Sequence, residues 1–211
     1  MKTLPREFPL VFLISPARIG GPRSNTLLRP QAGFDLAVRL RERRATIGEA
    51  YAFISGLYFR GKLAYAKAFA NSPTGVPPAL IIVPGLGLMP PDAMVDAKQL
   101  ASIGSVSIEE NNQAYRGPLL RDAALLDRNA GADCRYLLLG SIATAKYTDP
   151  LLNVFGERLL FPVEFVGRGD MSRGGLMLRC ARSGEELSYA SLRGAVRQGR
   201  RPAKLEPWRK R

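Results

Sequence analysis

Three short, unbroken apolar runs punctuate this chain, at residues 10–15, 79–83 and 135–140, and each closes on or just before Gly, Ser or Pro. A run without polar alternation belongs to a strand covered on both faces, as in a parallel sheet. Residues 158–161 read as a fourth strand. The segments between them carry helical spacing. Residues 34–44 set Phe34, Leu36, Ala37, Val38 and Leu40 among arginines. Residues 49–53 and 62–70 read as helices parted at Ser55-Gly56-Leu57-Tyr58. Residues 112–129 place Leu119, Leu120, Ala123, Ala124 and Leu126 on one side, with Gly117-Pro118 expected to break or start the helix.

Strands alternating with helices predict an α/β fold, a mostly parallel sheet flanked by helices. Residues 176–182 and 187–192, joined by Ser183-Gly184-Glu185-Glu186, predict a C-terminal β-hairpin. Residues 1–192 form a single domain on this reading. Residues 193–211 hold eight basic residues, one acid and two prolines. They predict a flexible basic tail, either solvated or an arm for nucleic acid.

The 211 residues suit one domain with an appendage, and the 46% apolar share suffices for a core. A net charge of +13 points to a polyanionic partner. The chain has no histidine, which excludes Ser-His-Asp and Cys-His catalysis. Cys134 and Cys180 lack metal spacing, so no metal site is expected; they read as reduced core thiols of a cytoplasmic protein. The apolar run at residues 8–14 is too short to span a bilayer and lacks a signal-peptide core, so no membrane association is expected. No cofactor is implied.

Ligands of open α/β sheets bind beyond the carboxyl ends of the strands. Four polar segments belong there: one with Ser15 and Arg18, one with Gly87, one with Ser141, Thr144, Lys146 and Tyr147, and the glycine-rich loop at residues 167–175. That loop carries Arg168, Gly169, Asp170, Ser172 and Arg173. Arginine offers a planar fork of donors for phosphate or carboxylate, and the loop reads as an anion clamp. Asp170 and Tyr147 are the candidate catalytic groups, although Asp170 could equally pair with Arg168 or Arg173. Ser141 and Thr144 could cap the following helix. Gly85-Leu86-Gly87 lacks the third glycine of a dinucleotide fingerprint and reads as a tight turn.

Ile14-Ser15-Pro16-Ala17-Arg18 resembles the N-terminal Ile-Ser-Pro-Ala-Lys of the YaaA-type peroxide-stress proteins, and Arg168-Gly169-Asp170-Met171-Ser172-Arg173 resembles their Arg-Gly-Leu-Met-Ser-Arg. Residues 137–147 are similar to their strand ending in a small polar turn and a tyrosine. Gly87-Leu88-Met89-Pro90-Pro91-Asp92 is similar to the Gly-Leu-Leu-x-Pro-Asp turn of small domains related to that family. The family's Ser-Gly-Leu-Tyr-Gly matches Ser55-Gly56-Leu57-Tyr58 in letters and residues 84–88 in position. Lys146 stands where the family has an acidic residue.

The resemblance implies an α/β core, DNA binding in preference to RNA, and a role in oxidative-stress protection. The family core is in turn similar to the uracil-DNA-glycosylase arrangement, which implies a base or nucleotide pocket. Three functions are weighed: a nucleic-acid-binding protein, an enzyme acting on a nucleobase, nucleoside or nucleotide, and a non-catalytic component of a ribonucleoprotein. In the second, Arg168 and Arg173 hold an anionic group, Asp170 orients water or stabilises an oxocarbenium-like centre, and Tyr147 stacks on a base or donates a hydrogen bond.

Overall fold

The computed structural model describes residues 8–206; the notional tail's last five residues, 207–211, lie outside them. Strands β1 (Leu10–Ile14), β2 (Ala45–Thr46), β3 (Ala79–Val83), β4 (Gly87–Met89), β5 (Met94–Val95), β6 (Arg135–Leu139), β7 (Leu159–Pro162) and β8 (Tyr189–Ser191) are interspersed with eight helices. These are α1 (Pro22–Leu28), α2 (Asp35–Arg41), α3 (Ile47–Ser55), α4 (Leu57–Phe69), α5 (Ala97–Ser105), α6 (Gln113–Ala130), α7 (Ala145–Phe155) and α8 (Asp170–Ser183).

Six strands form one sheet in the order β4-β3-β1-β6-β7-β8. β3, β1, β6 and β7 are parallel, and the edge strands β4 and β8 are antiparallel to their neighbours. The apolar runs are continuous because both faces are covered. Leu10, Phe12 and Ile14 join Ile81, Leu137, Tyr65 and Met177 on the face packed by α4 and α8. Val11 and Leu13 join Ile82, Leu138, Leu119 and Leu151 under α6 and α7. Cys134 and Cys180 are buried free thiols, as expected.

Local sequence explains most boundaries. Thr46 and Glu49 form a reciprocal capping box at the start of α3, and Asp96 and Gln99 do the same for α5. Gly56, at φ 59°, separates α3 from α4 in a conformation costly for other residues. α6 differs from expectation: it starts at its cap, Asn112, and runs through Pro118. The proline forfeits one backbone bond near the helix start, and the buried stripe Tyr115, Leu119, Ala123 and Leu126 outweighs that loss.

The C-terminal region needs a larger correction. An antiparallel pair exists, but β8 pairs with β7, not with residues 176–182. Those residues lie in α8, whose buried face is Arg173, Gly174, Met177 and Cys180. That spacing is helical, yet its first two members are not apolar, so the hydrophobic period fails to show it. Residues 193–206 have no regular secondary structure and lie along the domain, with Arg197 Nη1 donating to Thr148 Oγ1 at 3.1 Å and Arg168 Nη1 to Ala203 O at 3.4 Å. No helix among the described residues is long and apolar enough to cross a membrane.

Candidate functional site

β1 neighbours β3 on one side and β6 on the other, so the chain changes direction across it. The loops leaving such strands part, and a crevice opens beyond their carboxyl ends. Here that crevice is a cleft of about 620 Å³. The loop after β1 contributes Ser15, Pro16, Arg18 and Ile19, and the loop after β3 contributes Pro84. The loop after β6 and the start of α7 contribute Ser141, Thr144, Lys146 and Tyr147. Ser55 and Tyr58 enter from the α3–α4 junction, Ile103 and Gly104 from α5, and Asp170 from the start of α8.

Ser15 and Lys62 meet at the inner end of this cleft. Ser15 follows directly on β1, where its N–H donates to Leu139 O at 3.1 Å. Gly140 lies against it: a Cβ there would stand 2.9 Å from Ser15 Cβ and 3.0 Å from its Oγ. Lys62, on the core face of α4, is 1% exposed. Its Nζ donates to Ser15 Oγ at 2.7 Å and to Ser15 O at 3.0 Å, and lies 3.9 Å from the Tyr58 ring centroid.

Among the described residues no carboxylate pairs with this amine, so the cost of burying its charge dominates. Burial pushes Lys62 down to about 7; the Asp170 carboxylate opposes the shift and the Arg173 guanidinium adds to it. Tyr58 is 7% exposed, lines the cleft, and its hydroxyl has no hydrogen-bond partner among the described residues. Burial pushes Tyr58 up to about 12, partly offset by Arg173, so it remains a neutral donor at physiological pH. Burial likewise raises Tyr147.

Two further cations belong to the site, Arg18 and Lys146. Arg18 is exposed, Lys146 is half-buried, and neither forms an ion pair among the described residues. Thr144 caps α7 without a side-chain bond to its first turn. The cleft therefore offers positive charge and hydroxyl donors, with a weakly basic amine buried behind Ser15.

The two arginines of the glycine-rich segment do not face this cleft together, contrary to the expected clamp. Arg173 is 7% exposed and turned inward. Its Nε and Nη2 donate to Phe165 O at 3.2 and 3.0 Å, and its Nη1 lies 3.6 Å from Asp170 Oδ1. Arg168, Gly169 and Ser172 instead line a separate hollow of about 330 Å³ beside residues 201–205. Arg168 donates there to Ser172 Oγ at 3.2 Å. Gly174, from the same segment, serves packing, since a Cβ on it would meet the α4 backbone at 2.8 Å. Gly87, at φ 92°, faces α6, where a Cβ would collide with Asp122 and the Pro118 carbonyl oxygen.

Ser15, Arg18, Ser141, Thr144, Lys146, Tyr147 and Asp170 are thus brought together, while Gly87, Arg168, Gly169, Ser172 and Arg173 lie elsewhere. Lys62 was not anticipated, because a lysine in a helix ordinarily reads as solvated. A signal was present: Lys62 falls on the stripe Tyr58, Phe59, Tyr65 and Ala66 at helical spacing. Among the described residues no cluster of three or more acidic, cysteine or histidine side chains suits a metal. In comparisons with known proteins, no family model, no curated protein and no solved structure matches the chain.

Proposed function

We propose that the protein is an enzyme acting on a small anionic, nucleotide-like molecule in the cleft beyond β1. The observation that carries this reading is the Lys62–Ser15 pair at the cleft's inner end. A buried amine without an ion pair among the described residues costs stability, and such groups concentrate where chemistry uses them. A volume of about 620 Å³ suits a ligand the size of a nucleotide. Arg18 and Lys146 supply charge for a phosphate or carboxylate, and Tyr58 and Tyr147 supply aromatic surface and hydroxyls. Asp170 lines the cleft with its carboxylate 3.6 Å from Arg173 Nη1, placed to orient a water or a ribose hydroxyl. The resemblance to the YaaA-type family supports a base or nucleotide pocket.

A panel of nucleosides, nucleotides, nucleobases and damaged-base DNA tests this reading, with ligand-induced thermal stabilisation and product formation as readouts. Stabilisation by phosphorylated members over their nucleosides is expected. A panel without any stabilising member or product overturns the reading.

Nucleic-acid binding is the second reading, DNA before RNA. It is favoured by the net charge of +13 and by the exposed Arg193, Arg200, Arg201 and Lys204 along the C-terminal segment. Such binding weakens steeply with salt. A cytoplasmic location accords with two free thiols.

A further inference from the structure

We propose that Ser15 is a nucleophile and Lys62 its general base, so that the cleft performs acyl transfer or hydrolysis on a small anionic ester or amide. The inference rests on the enzymatic reading of the cleft and specifies its reaction.

The geometry supports unequal roles for the two groups. Lys62 is 1% exposed and sealed beneath Tyr58, whereas Ser15, at 4%, belongs to the cleft lining. A substrate atom therefore reaches Ser15 Oγ first, with the amine directly behind that oxygen. The 2.7 Å separation lies within hydrogen-bond range for proton transfer. Lys62 also donates to Ser15 O at 3.0 Å, which ties Nζ to the residue it serves. When the amine is neutral, its lone pair can accept the Oγ proton while that second bond is kept. Tyr58 Oη, buried beside the Arg173 guanidinium at the same cleft, stays protonated and can donate to an oxygen of the substrate. Serine paired with lysine needs no histidine, and this chain has none.

The step balances as follows. Ser15 Oγ gives its proton to Lys62 Nζ and forms a bond to the acyl carbon. The tetrahedral intermediate then expels the leaving oxygen or nitrogen, which takes the proton from the Lys62 ammonium. Water next attacks the acyl-serine, passes one proton to Lys62, and the acid departs as Ser15 Oγ recovers that proton. Arg18 and Lys146 hold the substrate's anionic group away from the reacting carbon.

The test uses mono-4-nitrophenyl succinate, an activated ester carrying one carboxylate, with mass spectrometry of the intact protein and its peptides. A succinyl adduct on Ser15 is expected, absent in Ser15→Ala and formed at least about 100-fold more slowly in Lys62→Met. The wild-type rate of adduct formation is expected to rise with pH through about 7, where Lys62 loses its proton. The groups facing Lys62 are Tyr58 on α4, Asp170 and Arg173 on α8, and Tyr147 beyond them on α7. Asp170→Asn should therefore move the midpoint down without abolishing it. The pH profile of the wild-type chain decides the matter even where Lys62→Met fails to fold. No adduct on Ser15 between pH 6 and about 9, or a profile flat across it, overturns the dyad. An equal rate in a folded Lys62→Met does so too. Nucleotide binding without any adduct leaves the cleft reading standing and removes the dyad alone.

Discussion

Gly61 and Gly174 bring the backbones of α4 and α8 into direct contact. A Cβ on Gly61 would stand 2.7 Å from Gly174 O, and one on Gly174 would stand 2.8 Å from Leu57 O. The crossing has a consequence at the cleft. α4 carries Tyr58 and Lys62, α8 carries Asp170 and Arg173, and only helices this close place the other three side chains around the buried Lys62 amine.

Alanine at Gly61 or Gly174 should therefore destabilise the fold. Helix propensity favours the change by about 1 kcal/mol. The collision is with backbone, which cannot rotate away, and overpacking costs about 1–3 kcal/mol. A net loss is expected on chemical denaturation, along with a shift in Lys62 titration. A gain in stability for both variants contradicts this packing.

Lys62→Met should alter how stability depends on pH. The folded chain holds Lys62 near 7, while the unfolded chain keeps it at 10.5. Between those values the unfolded state binds the extra proton, so this group makes wild-type stability rise with pH. The rise is complete above 10.5 and lost as pH falls through 7. Methionine lacks it. The difference between variant and wild type should shift in favour of wild type by on the order of 2–3 kcal/mol between pH 7 and about 9. Denaturation of both proteins in matched buffers measures this, and the comparison cancels Asp170, Arg173, Tyr58 and Tyr147 to first order. A constant difference contradicts a neutral buried amine.

Arg18→Ala and Lys146→Ala should each weaken nucleotide binding about tenfold or more, in keeping with loss of a charge-assisted hydrogen bond. Arg168→Ala should leave it unchanged, because Arg168 lies in the other hollow. Isothermal calorimetry with adenosine monophosphate separates the two outcomes.

If the protein also binds DNA, alanine at Arg200, Arg201 and Lys204 should reduce the slope of log affinity against log salt by up to about 3. Fluorescence anisotropy at several salt concentrations reads the slope. An unchanged slope removes this segment from the interface.

The sheet could be read from the chain because its strands advertise themselves. β1, β3 and β6 are covered on both faces, so their apolar runs are unbroken, and Gly56 marks the α3–α4 boundary by itself. α8 was hidden because its buried face begins with Arg173 and Gly174, residues chosen for a backbone crossing and an internal hydrogen bond. α5 is short and buries only Leu100 and Ile103, so the Asp96–Gln99 box that starts it is its main signal in the chain. At the cleft, the strand-end residues followed from topology alone. Lys62 did not, since its partner Ser15 is 47 residues away and only the tertiary fold joins them.

The proposed function puts the anionic molecule in the cleft beyond β1 rather than at the arginine-bearing segment. Amide NMR spectra recorded during titration with adenosine monophosphate test that directly. Shifts concentrated at Ser15, Arg18, Thr144 and Lys146 are predicted. Shifts confined to Arg168 and residues 200–205, or none at all, contradict the account.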